Sequence, residues 1–257
     1  MILGRTATGA NVELDPFAAA HTLVTGRTRS GKSVQVYGML AQLRGLPVKL
    51  AGIDPTGILF NAVGSGLGGD SLRVLTLREP ERAAEVMGEL VNEMDARISQ
   101  VLEHRLDKYD REHFSPEFPL LVVLLEEWPG TLAALASADV ASGAKAAARV
   151  ESRIRAAVQR LALEGAKVGV RLWIVAQRAD ASLLTGVLRS QLTQRLSFAQ
   201  DDDGLRMLHE GITPEDVAAA QRFLPGQAFA EMAGALPRTQ YRADSITYAQ
   251  LVACMGR

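Results

Sequence analysis

The sequence predicts an α/β domain with a mostly parallel central sheet flanked by helices, and three observations support this class. Short apolar runs alternate with helical patterns along the 257 residues, as in doubly wound domains. The runs are almost continuously apolar or β-branched, which is typical of parallel strands covered on both faces. A glycine-rich turn joins the first run to a helical stretch. A chain of this length can bury one large core.

The predicted strands share this apolar, β-branched character. They are His21–Thr25, Val48–Ile53, Leu72–Leu77, Leu120–Leu125 and Val170–Ala176. The residues ahead of the first of these strands contain turn residues at Gly4 and at 9–11. This pattern predicts a small hairpin. We therefore expect an N-terminal hairpin over 1–20 that leads into one large domain over 21–257.

Two long segments have apolar residues at helical spacing. In Glu81–Tyr109 the apolar face consists of Met87, Val91, Met94, Ile98 and Val101. A coiled coil is the alternative for this helix, although the stripe is brief compared with a sustained heptad array. In Ala144–Glu164 the face consists of Ile154, Ala157, Val158 and Leu161.

Two further helices have recognisable starts. One spans Ser33–Arg44, directly after the glycine-rich turn. Another begins at Thr213, where a capping hydroxyl precedes Pro214 and two acids, Glu215 and Asp216. Proline at the first helical position and acids in the first turn are typical of a helix N-terminus.

Composition excludes several classes of protein. A net charge of −1 excludes a globally basic nucleic-acid binder, so any such contact must come from a local patch or a ring of patches. The single cysteine, Cys254, excludes an internal disulfide framework and predicts a reducing compartment, the cytoplasm. The four histidines are scattered, which argues against a metal site of His or Cys. We expect neither a signal peptide nor a membrane-spanning segment.

One motif indicates a nucleotide site. The motif G-x-x-x-x-G-K-[ST] is matched in full by Gly26, Arg27, Thr28, Arg29, Ser30, Gly31, Lys32 and Ser33. Its glycines let the backbone wrap a phosphate, its lysine neutralises the β- and γ-phosphates, and its serine hydroxyl ligates Mg²⁺. The alternative, a turn that binds nothing, is disfavoured because the motif follows a strand and opens a helix. We therefore expect ATP and Mg²⁺ as cofactors.

Polar residues at two other strand ends could complete this site. Glu126 and Glu127 directly follow the apolar run Leu120–Leu125, and ligands bind at the carboxyl ends of such strands. We assign Glu126 to Mg²⁺ and Glu127 to activation of the attacking water. Gln177 follows another strand and can bond both a γ-phosphate and the water. The alternative for all three is a solvated strand end.

As a set, seven segments resemble the FtsK/SpoIIIE motors, P-loop ATPases of the HerA/FtsK type. They are Ile2–Arg5 with Gly9, Ala20–Gly26, Ile53–Pro55, Leu90–Arg97, Ala176–Arg178, Leu184–Gly186 and Gln194–Phe198. The resemblance implies a RecA-like fold and a homo-hexameric ring that draws double-stranded DNA through a central channel with ATP. A compact plasmid-transfer or phage-like variant, with a membrane or transfer-complex partner, fits this pattern. Two residues depart from it: Glu126 replaces the usual Asp, and Thr56 replaces a Lys.

Two other functions stay open. A polypeptide-secretion ATPase of the EccC type uses similar domains, and a nucleotide-binding assembly module could keep the P-loop with little hydrolysis. DNA-stimulated ATP turnover would separate the first alternative from a DNA motor. Measurable ATPase activity would exclude the second.

The resemblance also suggests basic residues for DNA and for subunit coupling. Lys145 and Arg149, after the acid pair, and Arg222, ahead of the Pro225–Gly226 turn, are the candidates for DNA contact. Solvated helix-surface charges are the alternative for each. Ring motors commonly complete a neighbour's site with an arginine. Arg195 is the first candidate for this finger in trans and Arg178 the second, with a structural ion pair as the alternative for Arg195.

Overall fold

A computed structural model describes residues 1–178 and 186–256. The chain forms two compact units. The first consists of Met1–Pro16, Ala20–Arg44 and Val175–Arg257, and the second of Phe17–Ala19 and Gly45–Ile174. Leu184 and Thr185, two residues of the family resemblance, lie outside the described residues.

The described elements alternate between strands and helices, as predicted. The strands are β1 (Ile2–Arg5), β2 (Asn11–Glu13), β3 (Thr22–Thr25), β4 (Val48–Ile53), β5 (Arg73–Val74), β6 (Leu120–Leu125), β7 (Val170–Ala176), β8 (Gln194–Phe198), β9 (Gln227–Met232) and β10 (Leu236–Ala243). The helices are α1 (Lys32–Leu43), α2 (Ile58–Val63), α3 (Pro80–Glu103), α4 (Trp128–Ser142), α5 (Val150–Glu164), α6 (Gly186–Gln191), α7 (Asp202–Leu208), α8 (Pro214–Gln221) and α9 (Tyr248–Met255). Short 3-10 turns lie at Arg111–His113, Ala146–Ala148 and Gly165–Val168.

The first unit contains the strand that leads into the P-loop. Its strands lie in the order β2-β1-β10-β9-β8-β3. β3 pairs in parallel with β8, so that Thr25 faces Ser197. The remaining pairs, β8/β9, β9/β10, β10/β1 and β1/β2, are antiparallel. The predicted N-terminal hairpin is present as β1 and β2, and the domain boundary at residue 20 stays a prediction.

The second unit contains the strand that ends in the acid pair. Its strands lie in the order β7-β6-β4-β5 and all pair in parallel. Every residue of β6 and β7 is buried, as expected for parallel strands covered on both faces. α3 packs on β4, β5 and α5. These parallel strands flanked by helices confirm the predicted α/β class.

Strand prediction was most accurate where the apolar runs were longest. β4, β6 and β7 have the predicted bounds, whereas the predicted strand Leu72–Leu77 shortens to β5. In the stripe predicted for α3, Met87, Met94 and Val101 are buried and Val91 and Ile98 are half-buried. α3 is therefore an amphipathic surface helix, and it ends at Glu103 and not near Tyr109. No helix within 1–178 and 186–256 is long and apolar enough to cross a bilayer.

One helix was predicted with a wrong start and several were missed, of which α4 is the longest. The segment expected from Ala144 begins as a loop with one 3-10 turn, and α5 starts only at Val150. Alanine has high helix propensity, but the side chain of Asp139 accepts hydrogen bonds from the first amides of α5. Gly143, with φ +66°, ends α4. α4 itself was missed because its apolar residues surround the helix axis and leave no periodic stripe.

Candidate nucleotide-binding site

The P-loop connects β3 to α1 and is shaped by two glycines. Gly26 has φ +145° and Gly31 has φ +111°, which L side chains rarely adopt. A Cβ at Gly26 would lie 2.6 Å from Cβ of Phe198, and one at Gly31 would lie 2.8 Å from the amide nitrogen of Gly226. The loop is thus packed so closely on its own unit that neither position admits a side chain.

Lys32 lies near the end of the P-loop, and its side chain is buried inside this loop. Its side chain is 8% exposed, and its ammonium donates to the carbonyl oxygens of Gly26 and, at 3.2 Å, of Arg27. The amide of Arg27 in turn donates to the carbonyl of Ala199 at 2.8 Å, which fixes the first peptide of the loop. The ammonium of Lys32 is therefore hydrogen-bonded to the P-loop backbone, and the first peptide of this backbone is itself fixed by Ala199.

The remaining loop residues are arranged for an incoming anion. Arg27, Thr28 and Arg29 are exposed, as is Ser33 on the first turn of α1. Ser30 is 4% exposed, and its hydroxyl has no hydrogen-bond partner within the part of the chain that the structure describes. Cations, a free hydroxyl and a glycine cradle at a helix N-terminus are the groups that a nucleotide phosphate requires. The residues present therefore fit the phosphates of a nucleotide.

Gln177, a predicted strand-end residue of the first unit, contacts the P-loop. The hydroxyl of Thr28 donates to Oε1 of Gln177 at 3.3 Å. A cleft of about 300 Å³ lies beside this contact, lined by Arg27, Gln177, Arg178, Gln200, Asp201 and Gln221. Arg178 is 78% exposed, and its Nε lies 3.8 Å from Oδ2 of Asp201. Both residues after β7 thus border the P-loop, and their roles stay predictions.

Gln200 is a residue of this cleft that sequence reasoning missed. Its side chain is 6% exposed, and its Nε2 donates to Oγ1 of Thr25 at 3.2 Å, next to the first P-loop glycine. The available signal was its position two residues after β8, at the carboxyl end of a parallel strand.

The acid pair lies at the carboxyl end of β6, as predicted. The amide of Glu126 donates to the carbonyl of Ile53 at 2.9 Å, and its carbonyl accepts the hydroxyl of Thr131 at 3.1 Å. Glu127 has left-handed backbone angles, φ +44° and ψ +53°, which are costly for a residue with a Cβ and cluster at functional sites. A Cβ at Gly130 would lie 3.2 Å from Cγ of Glu127. These contacts fix the backbone at both residues, and the separate roles of the two carboxylates stay predictions.

A third carboxylate at this strand edge is structural. Asp54 is fully buried, and its oxygens accept bonds from the amides of Leu59 and Phe60 at 2.8 and 3.1 Å. They also accept the amide and hydroxyl of Thr56 at 3.1 and 2.9 Å. Asp54 therefore caps α2 and has little capacity left for a metal ion. Thr56 replaces the family's usual lysine with a hydroxyl that serves this cap.

Arg195 is held by its own chain in this structure. Its guanidinium donates to the carbonyls of Leu192 at 2.9 Å, Arg189 at 3.3 Å and Leu208. Burial lowers the pKa of Arg195 from its ordinary value, and Glu231 partly opposes this effect. These contacts are bonds to backbone carbonyls and not the ion pair that was the structural alternative. The finger role of Arg195 stays a prediction that requires the side chain to be released.

A buried polar chain extends from the start of the P-loop into the first unit. Thr25 Oγ1 donates to Ser197 at 3.4 Å, Ser197 lies 2.8 Å from Nε2 of His209, and Nδ1 of His209 lies 2.6 Å from Glu231. Burial lowers the pKa of His209, although the bond to Glu231 raises it in part. Ser197 is completely buried, so this serine–histidine–glutamate arrangement has no access to a substrate.

The three basic residues predicted to contact DNA are all exposed. Lys145 and Arg149 lie on the loop between α4 and α5 in the second unit, and Arg222 follows α8 in the first. Within the described residues none of their side chains makes a hydrogen bond or ion pair. Exposure is a requirement for contact with DNA phosphates, and the contacts themselves stay predictions.

Known proteins resemble this chain over most of its length. The model of the FtsK/SpoIIIE family matches residues 1–212. The DNA translocase FtsK of Bacillus cereus is 30% identical over 214 residues, which are 77% of this chain and 25% of that protein. The DNA translocase SpoIIIE of Bacillus subtilis is 28% identical over 213 residues, with the same shares. The chain thus spans about a quarter of the length of the curated relatives it matches.

Solved structures agree on the fold. The pCW3 conjugation coupling protein TcpA, solved with ATPγS, superposes with a TM-score of 0.69 at 20% identity over 98% of this chain and 69% of that one. The cytoplasmic domain of the type VII secretion ATPase EccC of Thermomonospora curvata gives 0.70 at 19% identity over 99% and 30%. At these identities the likeness shows the fold alone, and it confirms the predicted RecA-like P-loop class.

Proposed function

Because this chain belongs to the FtsK/SpoIIIE family, we propose that it is the ATP-hydrolysing motor portion of a double-stranded-DNA translocase, acting in DNA transfer, segregation or packaging. The observation that carries the proposal is the P-loop, with Lys32 buried inside it and glycines where no side chain fits. A turn that binds nothing has no physical reason to bury an ammonium on its own carbonyls.

ATP binding is the first step assigned to this chain. ATP supplies the bond that is cleaved, and Mg²⁺ would be held by Ser33 and Glu126 and lower the charge of the phosphates. Lys32 exchanges the carbonyls of Gly26 and Arg27 for phosphate oxygens, which are stronger acceptors. The loop amides and the N-terminus of α1 favour negative charge at the same position.

Hydrolysis then requires a base and a residue that senses the γ-phosphate. Glu127 is the proposed base, because its backbone is fixed in a costly conformation at a strand end. Gln177 is the proposed sensor, because Thr28 of the P-loop already donates to it. A change in the loop on hydrolysis would break or move this contact and so report the state of the nucleotide to β7.

The proposed assembly is a homo-hexamer in which an arginine completes the neighbour's site. Arg195 was the first candidate from sequence, but three carbonyls of its own chain hold its guanidinium. Arg178 is 78% exposed, so its side chain can reach a neighbouring subunit. We therefore assign the finger to Arg178 before Arg195.

Double-stranded DNA is the proposed cargo, contacted through phosphates by Lys145, Arg149 and Arg222. The net charge of −1 requires such a local contact, repeated around a ring, instead of a basic surface. Phosphate contacts carry no sequence information, so the motor would bind many sequences. A cytoplasmic location, with a membrane or transfer-complex partner, completes this proposal.

A paired assay tests the proposal. ATP hydrolysis is measured with and without duplex DNA, and the mass of the assembly is determined under the same conditions. A DNA motor shows higher turnover with DNA and a DNA affinity that falls steeply with salt. The likeness to the type VII secretion ATPase EccC favours one rival. An oligomer that hydrolyses ATP at the same rate with and without DNA would indicate a polypeptide motor. An oligomer that binds ATP without hydrolysing it would indicate an assembly module.

A further inference from the structure

We propose that Asp139 is a positioning residue for DNA binding: it closes the loop between α4 and α5 and thereby fixes Lys145 and Arg149 toward DNA phosphates. The segment 143–149 is called the basic loop. This inference rests on the proposed function, since it concerns the same DNA-contact residues. It assigns a role to a buried carboxylate that the nucleotide site does not use.

The side chain of Asp139 holds the carboxyl-terminal end of the basic loop. It is 5% exposed, and its two oxygens accept the amides of Val150 at 2.9 Å and Glu151 at 3.0 Å. These are the first two residues of α5, whose amides have no partner within the helix. A buried carboxylate with two amide donors is satisfied and strongly fixed.

The backbone of the same residue holds the other end of the loop. The carbonyl of Asp139 accepts the amide of Ala144 at 3.1 Å and the hydroxyl of Ser142 at 3.1 Å. Within the loop, the amide of Ala148 donates to the carbonyl of Lys145 at 2.8 Å and forms a tight turn. One buried residue therefore anchors both ends of a short, internally bonded loop.

The cations of the basic loop and those of α5 differ in whether they have an ion-pair partner. Along α5, Arg153 pairs with Glu81 at 2.6 Å, and Arg160 pairs with Asp95 at 2.7 Å. Arg155 likewise pairs with Glu151. The arginines of α5 are thus neutralised by their own unit.

Lys145 and Arg149 have no such partner. Both are exposed, and neither side chain makes an ion pair or hydrogen bond within 1–178 and 186–256. Positions 146–148 are alanine, so the sequence places no charged or long residue between the two cations. Two unpaired cations on a loop with fixed ends lose less freedom on binding phosphate than cations on a flexible loop.

The test compares an anchor variant with a charge variant. Duplex DNA of fixed length is titrated against the full chain at several salt concentrations, with a non-hydrolysed ATP analogue. Replacing both Lys145 and Arg149 by Ala should lower the slope of log K against log salt by about 0.9 for each phosphate that the protein no longer neutralises. Asp139→Ala should also lower this slope, because cations that are no longer placed at phosphates release fewer counterions, and it should lower the affinity at low salt. A purely structural role would lower stability and leave the slope unchanged.

Combining the variants isolates the positioning role. In the chain that lacks both cations, Asp139→Ala should cause no further decrease in DNA affinity, because nothing remains to be positioned. Thr247→Ala is the matched control: its hydroxyl caps α9 through the amide of Gln250 at 3.2 Å, and none of the three DNA-contact candidates lies on or next to α9. It should leave the salt slope at the wild-type value. Additive decreases for Asp139→Ala and the charge variant would overturn the inference.

A second variant, Asp139→Asn, keeps the inference testable if Asp139→Ala does not fold. It keeps the shape of the side chain but only one acceptor oxygen, so it should show an intermediate slope. Wild-type affinity and slope in Asp139→Asn would overturn the inference. Failure of the proposed function looks different: the wild-type chain itself would not bind duplex DNA. If it binds DNA and the charge variant weakens binding while both Asp139 variants do not, only the positioning role is wrong.

Discussion

Lys32→Ala is expected to weaken the binding of ATP by roughly 70-fold, a magnitude that follows from the contacts of the ammonium. In this structure the ammonium donates to the carbonyls of Gly26 and Arg27. Lys32→Ala deprives the bound phosphates of a hydrogen bond to a charged group, and such a bond contributes about 1.5–3 kcal/mol. A loss of about 2.5 kcal/mol within this range corresponds to roughly 70-fold in Kd, since 1.4 kcal/mol is about tenfold.

The assay is calorimetric titration of a non-hydrolysed ATP analogue with Mg²⁺. Lys32→Met serves as a second variant, because it keeps the aliphatic volume at this buried position and should show the same decrease in affinity. Arg29→Ala is the matched comparison on the same loop. Arg29 is exposed, so its removal should cost about 1 kcal/mol or less. Affinity of Lys32→Ala within threefold of wild type, or an equal decrease in Arg29→Ala, would refute the reasoning.

Three further predictions concern hydrolysis, subunit coupling and stability. Glu127→Gln should bind ATP within a few-fold of wild type but release phosphate about 10²–10⁴ times more slowly, because an amide cannot act as a base; unchanged turnover would exclude Glu127. Arg178→Ala rings should bind ATP without hydrolysing it, and mixing with Lys32→Ala subunits should restore some phosphate release; full turnover of Arg178→Ala alone would contradict this. Because burial lowers the pKa of His209, the unfolded state binds the extra proton below about pH 6.5. Urea unfolding should therefore show stability that is fully present above that pH and falls below it, by up to about 1.4 kcal/mol per pH unit. In His209→Gln the stability should depend less on pH. An equally steep pH dependence in this variant would contradict the assignment of the dependence to His209.

The parts of the fold that could be predicted are those in which one physical signal dominates. β4, β6 and β7 are buried along almost their whole length, so an apolar run defines each of them to the residue. The P-loop was predictable because only glycine tolerates the angles and the packing at Gly26 and Gly31. Both signals are local in the sequence.

What could not be predicted depends on contacts between distant residues. α5 was expected six residues too early, because its start is set by Asp139, eleven residues before its first helical residue. Gln200 was missed because its role in the cleft appears only when β8 pairs with β3 and places it beside Thr25. Helix propensity and strand patterns contain no information about either contact.

The two departures from the family pattern have different consequences. At Thr56 the hydroxyl donates to Asp54, and its oxygen also accepts the amide of Ile58 at 3.3 Å. The threonine that replaces lysine therefore takes part in the hydrogen bonds that cap α2. At Glu126 the main chain is hydrogen-bonded to Ile53 and Thr131. The backbone position is therefore fixed, and the carboxylate lies one methylene farther from it than the carboxylate of an aspartate would. If Glu126 holds Mg²⁺ as proposed, the effect of this second departure lies in the reach of the carboxylate toward the ion, and not in the folding of the strand end.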